Sequence, residues 1–308
     1  MNIPNNFICT LRYVSRCDFV FNQAFYEIPY ENNRLSEITD NSTIYCYGGF
    51  LCDLFKYIEQ TKIKNITLIS GCEDYATNPN GSIVGWAQSP HSYNIIPCPK
   101  NITKWFAQNA EICSDFMKPM PIGPYVFPMS GDGIRRRIMV CERNKLLFTN
   151  INPSTNPTQR NCVISTVSKN CPTMANSYGD MNQYCKGLQE HMFSLCPPGN
   201  GKDTHRTWES IFFGCIPIVE KSNMNDFFSS LFPMLVVDKW SDVNEDFLRN
   251  EYIKIMSKQW RYDLMDVDNL FDYLGIQKSN KHRKYDELLQ NPMTTSLTRA
   301  HEKNILYV

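Results

Sequence analysis

The sequence predicts an α/β protein whose parallel strands are joined by helical crossovers. Two strand–glycine loop–helix–strand units lead to this prediction, one over residues 43–70 and one over residues 192–219. The length of 308 residues favours two domains, because single cores rarely grow beyond ~250 to 300 residues. Open sheets of this kind bind ligands at the carboxyl ends of their strands. We therefore expect the functional side chains in the loops that follow strands.

The unit over residues 192–219 carries the clearest candidate for a ligand-binding loop. Its first strand is expected to end before Pro197, because proline cannot donate a hydrogen bond to a ladder. Gly199, Asn200 and Gly201 then form a loop that can take positive φ angles and bring backbone N–H groups close to a ligand. A helix is predicted to follow to about residue 213, and a second buried strand closes the unit.

Two charged side chains lie in the first turns of that helix. Asp203 or Thr204 is the expected N-cap, and Arg206 and Glu209 share a face directed toward the loop. A diphosphate there meets backbone N–H groups, the helix dipole and the guanidinium. Glu209 is then placed to accept hydrogen bonds from sugar hydroxyls. The alternative is an ordinary unit in which Arg206 and Glu209 form a solvated ion pair.

A mononucleotide-binding phosphate loop is a further alternative for the same stretch, since it contains glycines and a lysine. The spacing argues against it. The first glycine would have to stand at Cys196, and Asp203 occupies the position of the serine or threonine that should follow Lys202. A kinase or another nucleotide-hydrolysing enzyme is therefore disfavoured.

Several motifs resemble those of exostosin-like glycosyltransferases, a group that includes related enzymes of bacteria and large DNA viruses. The central match consists of Cys196–Gly201, Asp203–Glu209 and Gly214–Ile218. Further matching segments, in the same order along the chain, are Trp105–Asn109, Pro121–Gly123, Leu146–Asn150, Thr155–Arg160 and Val237–Trp240. The resemblance implies the GT-B architecture of two facing Rossmann-like domains, with the nucleotide sugar bound by the C-terminal one.

The resemblance further implies transfer of a sugar from a nucleotide-diphosphate donor to an acceptor hydroxyl on a glycan or glycoprotein. Arg160 is then a second cation for the donor diphosphate beside Arg206. Backbone N–H groups around residues 199–204, with these two arginines, would replace a divalent metal, so no metal or other cofactor is expected. The single Asp-x-Asp triplet, Asp266–Asp268, lies outside the matching motifs and is interpreted as a helix start or loop. A non-catalytic nucleotide-sugar- or glycan-binding module is the alternative.

An inverting enzyme would also need a general base for the acceptor, and it must lie in the first domain. Asp74 follows the predicted strand end at Gly71 and resembles an acidic residue at that point in related sequences. Asp53 is the competing carboxylate, although the helix dipole alone favours an acidic residue in the first turn of a helix. A retaining enzyme would need neither.

Three regions follow from these assignments. We expect an N-terminal Rossmann-like acceptor domain over residues 1–130, a nucleotide-sugar-binding domain over 138–262, and a helical or partly ordered extension over 263–308. Within the first domain, residues 6–30 are expected to form one or two strands, and residues 106–112 to lie in a helix.

The charge balance and the composition of the chain limit the kinds of partner that it is expected to bind. The chain has 31 basic and 31 acidic residues and a pI of about 6.9, so no overall charge attracts nucleic acid or an anionic membrane. It contains no apolar run of membrane-spanning length and no secretory signal at its start, and we expect a cytoplasmic protein. Its 13 cysteines form no Cys-x-x-Cys pair, and Cys46, Cys141, Cys162 and Cys215 in apolar runs indicate buried thiols.

Overall fold

The protein contains two five-stranded sheets in which every strand pairing is parallel. The structure is a computed structural model, and it describes residues 7–21, 35–71, 77, 97–124, 143–176 and 181–281. The parallel pairings confirm the predicted α/β class. None of the helices in these ranges has both the length and the apolar character needed to cross a lipid bilayer.

The first sheet follows the chain in strand order β1-β2-β3-β4-β5. Its strands are β1 (Phe19–Phe21), β2 (Thr43–Tyr47), β3 (Ile66–Gly71), β4 (Ile102–Ala107) and β5 (Met117–Pro119), with helices α1 (Thr10–Ser15) and α2 (Leu51–Glu59). Helix α2 buries Leu51, Leu54, Phe55 and Ile58, whose spacing of three and four residues places them on one face. That face packs in one cluster with the buried side chains of β2, β3 and β4.

The second sheet has the order β10-β9-β8-β6-β7. Its strands are β6 (Lys145–Thr149), β7 (Ala175–Asn176), β8 (His191–Leu195), β9 (Ile216–Glu220) and β10 (Leu235–Val237). The helices are α3 (Pro157–Asn170), α4 (Met181–Glu190), α5 (His205–Phe212), α6 (Asn223–Ser229), α7 (Glu245–Met256) and α8 (Val267–Leu274). Gly214 follows α5 with φ +75°, as its predicted capping role requires.

One apolar cluster contains side chains from both sheets. It includes Tyr45, Ile69 and Phe106 of the first sheet, Phe148 of the second, and Trp208 of α5. We call it the shared cluster. The hydrophobic surface of each sheet is thus buried in part by residues that belong to the other half of the chain.

The prediction of a helix over residues 106–112 is wrong. The first residues of this segment end strand β4, which pairs with β3 and β5, and the chain then turns through Asn109 at φ +55°. A central parallel strand is covered on both faces, so its apolar residues do not alternate and a short run resembles a buried helix. Similarly, the expected strands near the N-terminus are helix α1 followed by the single strand β1.

Helix α8 begins at the Asp266–Asp268 triplet, as predicted, and the Asp266 side chain accepts hydrogen bonds from two N–H groups of its first turn. The helix contacts the first half of the chain. The Arg16 guanidinium, fully buried at the end of α1, donates to both carboxylate oxygens of Asp268 at 3.1 and 2.9 Å. Residues 282–308 of the predicted extension lie outside the described residues.

The structure describes 11 of the 13 cysteines, and all of these are free thiols. Cys46 and Cys215 are buried, as predicted from their apolar surroundings. Cys162 is exposed, because it lies on a face of α3 that does not meet the sheet. Cys141 lies outside the described residues.

Candidate functional site

The candidate site lies where strands β6 and β8 end side by side. After β6 the chain crosses to β7 on one side, and after β8 it crosses to β9 on the other. The two connections therefore leave in opposite directions and open a crevice at the carboxyl ends of the strands, which is where open parallel sheets bind ligands. The loop 196–204 and the loop before α3 border this crevice.

Arg160 comes from the first turn of α3 and lies beneath the glycine loop. Its Nε donates to the Pro198 carbonyl at 3.0 Å, and one terminal nitrogen donates to the Asn152 carbonyl at 2.7 Å and to the Thr155 hydroxyl. Only 6% of the residue is exposed. The sequence predicted a cation here but not its burial, which depends on the carbonyl groups of the two neighbouring loops.

The glycines of the loop allow neighbouring side chains to approach the backbone closely, and they do not adopt unusual backbone angles. Neither Gly199 nor Gly201 has a positive φ, in contrast to the expectation. A Cβ at Gly199 would lie 2.7 Å from the Arg160 guanidinium, and one at Gly201 would lie 2.9 Å from the Asn109 side chain. A side chain at either position would displace these groups. Asn200 between them is exposed.

Helix α5 starts at the predicted position, and Thr204 is its N-cap. No side-chain cap bond forms, because the Thr204 hydroxyl contacts the Thr207 hydroxyl at 3.2 Å instead. The first-turn N–H groups are therefore not capped by the side chain that usually takes them. They add a positive partial charge at the crevice.

Arg206 and Glu209 are both directed toward Tyr184 of helix α4. The Tyr184 hydroxyl donates to Glu209 Oε2 at 2.5 Å, and the Arg206 guanidinium carbon lies 5.8 Å from the centre of the tyrosine ring. Arg206 Nε is buried without a hydrogen-bond partner among the described residues. The alternative interpretation, a solvated ion pair between these two residues, does not describe this arrangement, since Glu209 is only 9% exposed.

The two arginines repel each other electrostatically. The pKa of Arg160 is lowered to about 10, first by burial and second by the positive charge of Arg206. Two guanidinium groups whose charges act on each other favour a shared anion, because its negative charge relieves their repulsion and its oxygens accept hydrogen bonds from their N–H groups. A diphosphate has the charge and the number of oxygens for both.

Asp203 is a structural link rather than an open ligand-binding group. Its carboxylate accepts from the backbone N–H of Ile122 and from Trp208 Nε1, both at 2.7 Å. The backbone N–H of Asp203 in turn donates to Asn109 Oδ1 at 2.8 Å. The neighbouring residue is tied to the same segment, since His205 Nδ1 lies 2.8 Å from the Gly123 carbonyl.

The first half of the chain thus holds the loop of the second. Asn109, Ile122 and Gly123 belong to the segments 105–109 and 121–123, which resembled the glycosyltransferase motifs. A further link is the ion pair of Lys202 with Glu111 at 3.2 Å. The structure brings these sequence-distant motifs together around the loop 199–205.

The structure says little about the two candidate general bases. Asp74 lies outside the described residues, so its role as a general base stays a prediction. Asp53 is exposed in the first turn of α2. Sequence reasoning missed Tyr184 and the role of Asn109, because neither stands near a glycine loop or a charged pair in the sequence. Among the described residues, no three His, Cys, Asp or Glu side chains form a group that could hold a metal ion.

The burial of Asp203 predicts a specific pH dependence. Burial raises its pKa to about 7, above the ~3.9 of an unfolded aspartate. Between these values the folded protein binds more protons than the unfolded chain. The contribution of Asp203 protonation to the free energy of unfolding is fully present below about pH 4 and is lost as the pH rises through 7.

We expect the free energy of unfolding of the wild type, relative to the non-ionising variant Asp203→Asn, to fall by up to about 4 kcal/mol from pH 4 to pH 8. Urea denaturation at a series of pH values measures this difference. A difference that does not change with pH would show that Asp203 has an ordinary pKa.

The comparisons with known proteins found distant structural likenesses. No family model matches the chain, and no curated protein matches its sequence. The matching solved structures include that of AviGT4, a glycosyltransferase involved in avilamycin A biosynthesis, with a TM-score of 0.31 and 10% identity over 84% of this chain and 83% of that one. Because a similarity at this level is too weak to assign function, the residues of the site must do so.

Proposed function

We propose that the protein is a glycosyltransferase of the exostosin-like group, which moves a sugar from a nucleotide-diphosphate donor to an acceptor hydroxyl. The observation that carries the proposal is the placement of two arginines around the glycine loop. Arg160 is bonded to the Pro198 carbonyl of that loop, and Arg206 lies in the first turn of the helix that follows it, which also carries the buried carboxylate of Glu209. The guanidinium groups suit a diphosphate, and the carboxylate suits sugar hydroxyls.

In this proposal the main task of the site is to stabilise the leaving group. As the bond from the sugar to the diphosphate breaks, negative charge grows on the phosphate oxygens. Arg160, Arg206 and the first N–H groups of α5 are already in place to receive it, so little reorganisation is needed during the reaction. These groups take the part that a divalent metal has in other transferases, and we propose a reaction without a metal or other cofactor.

The acceptor side belongs to the proposal as well. Residues 1–130 form the acceptor domain, which faces the donor domain over 138–262 and binds a glycan or glycoprotein. Asp74 is the general base if the reaction inverts the anomeric centre. A product that retains the donor's configuration would remove Asp74 from this role and leave the donor site unchanged.

The test is incubation of the protein with a panel of nucleotide sugars, with and without EDTA. Release of the nucleoside diphosphate from one of them, at an equal rate in EDTA, is the expected result. Release that requires magnesium would contradict the metal-free mechanism. Binding without any turnover, even with added sugar acceptors, would support the alternative of a non-catalytic module.

Glu209→Gln is expected to weaken nucleotide-sugar binding about ten- to a hundredfold. The amide replaces one acceptor oxygen by a donor, so a sugar hydroxyl loses a bond to a charged group. Competition by the nucleoside against a bound nucleotide sugar measures the change. The same substitution at Glu251, which pairs with Lys254 on the surface of α7, is the matched control. Equal competition in Glu209→Gln and wild type would make Glu209 a structural residue.

A further inference from the structure

Tyr184 contacts both charged residues of the proposed donor site on α5. It lies on α4, is 8% exposed and belongs to the shared cluster. Its ring packs beside Phe148 of β6, with 6.2 Å between the ring centres. Helix α4 is therefore fixed against the sheet at this point, and the position of the tyrosine is set by the core rather than by the crevice.

The hydroxyl of Tyr184 holds the Glu209 carboxylate. The bond to Oε2 measures 2.5 Å, which is short and typical of a hydroxyl donating to a charged oxygen. Burial, and second the negative charge of Glu209, raise the pKa of Tyr184 well above its usual value. The hydroxyl therefore stays protonated and remains a donor at neutral pH, and Oε2 is kept in one orientation.

The ring of Tyr184 meets Arg206. The guanidinium carbon lies 5.8 Å from the ring centre, within the range of a cation–π contact. Arg206 Nε is buried and has no hydrogen-bond partner among the described residues. The aromatic face is thus a contact of the guanidinium that is present before a ligand arrives, and it limits the conformations of that group.

We infer that Tyr184 is a positioning residue that orients Glu209 through its hydroxyl and Arg206 through its ring, so that one side chain sets both halves of the donor site. The inference rests on the proposed function. Preorganisation of this kind lowers the cost of fixing the two long side chains when the ligand binds. Tyr184 acts through its neighbours and does not itself touch the reacting atoms.

The two contacts can be removed one at a time. Tyr184→Phe deletes only the hydroxyl, and Tyr184→Leu deletes the ring as well. Affinities for UDP, GDP and ADP, measured by calorimetry, identify the nucleotide that the wild type binds. For the nucleoside diphosphate that the wild type binds, we expect Tyr184→Phe to weaken binding about tenfold and Tyr184→Leu to weaken it about a hundredfold. Tyr252→Phe, at a tyrosine that packs on Phe193 away from α5, is the matched control with no expected change.

A double-mutant cycle separates positioning from general loss of structure. In a Glu209→Ala background the hydroxyl has no carboxylate to hold, so the added Tyr184→Phe change should alter affinity less than twofold. Thermal melting of each variant confirms that it is folded. The ratio of Tyr184→Leu affinities with and without Arg206→Ala gives the same comparison for the ring.

The possible results are distinct. A wild type that binds no nucleotide or nucleotide sugar would overturn the proposed function, and the inference with it. A wild type that binds, combined with an unchanged Tyr184→Phe variant, would overturn only the inference. An equal tenfold loss in the Glu209→Ala background would also overturn it, because the effect would then not pass through Glu209.

Discussion

Replacing Arg206 by alanine is expected to lower the rate of sugar transfer by about 10² to 10³-fold in a protein that stays folded. The loss follows from the proposed role of this guanidinium, because removal of one preorganised donor from a site of developing negative charge usually has an effect of this size. Arg160 remains, but its terminal nitrogens are partly committed to the Asn152 carbonyl and the Thr155 hydroxyl. It therefore cannot replace Arg206 fully.

The fold should tolerate this change because the Arg206 side chain contributes little to it. Among the described residues, the Arg206 guanidinium contacts the face of Tyr184, and a cation–π contact of this kind contributes about 0.5 to 1 kcal/mol. Steady-state release of nucleoside diphosphate from the active nucleotide sugar measures the effect. Arg249→Ala removes the same charge from an exposed position on α7 and should leave the rate unchanged. Wild-type turnover in a folded Arg206→Ala variant would exclude Arg206 from the site.

The second large effect concerns stability. Asp268→Ala is expected to lower the free energy of unfolding by about 3 to 5 kcal/mol. The reason is the asymmetry of the buried pair: the Arg16 side chain is 0% exposed, whereas that of Asp268 is 26% exposed. Removing the aspartate takes two acceptors from a fully buried cation. Arg16→Met should cost less, because the carboxylate that remains can reach water.

Urea denaturation of the two variants tests this order. The pair Arg261–Asp263 offers a control of similar geometry, with bonds of 2.9 and 2.8 Å but with both side chains 49% exposed. Asp263→Ala should change the free energy of unfolding by less than about 1 kcal/mol. A loss of the same size at Asp263 and Asp268 would mean that burial does not govern the strength of the pair.

The second sheet could be predicted well from the sequence. The prolines, Gly214 and the apolar runs predicted the positions of strand β8, helix α5 and strand β9, and the structure has these elements there. Their boundaries could be predicted because they depend on local backbone chemistry. Strand β4 could not be predicted, since its type is fixed by pairing with β3 and β5 rather than by its own pattern.

The site was predictable in its charges but not in its supports. Arg160, Arg206 and Glu209 stand in recognisable spacing around a glycine loop, so their chemistry is visible in the sequence. The partners that orient them come from elsewhere: Tyr184 lies 25 residues before Glu209, and Asn109 lies 94 residues before Asp203. Contacts over such separations depend on the tertiary fold, and no local pattern reports them.

The shared cluster makes the two sheets a single cooperative unit. Phe106 of β4 and Phe148 of β6 belong to the same buried cluster, so opening either sheet exposes apolar surface that the other sheet also needs. Local opening of one half therefore also removes contacts that stabilise the other half. A ligand that binds only the folded protein would therefore slow hydrogen exchange of amides in both sheets, wherever exchange requires unfolding of the whole molecule.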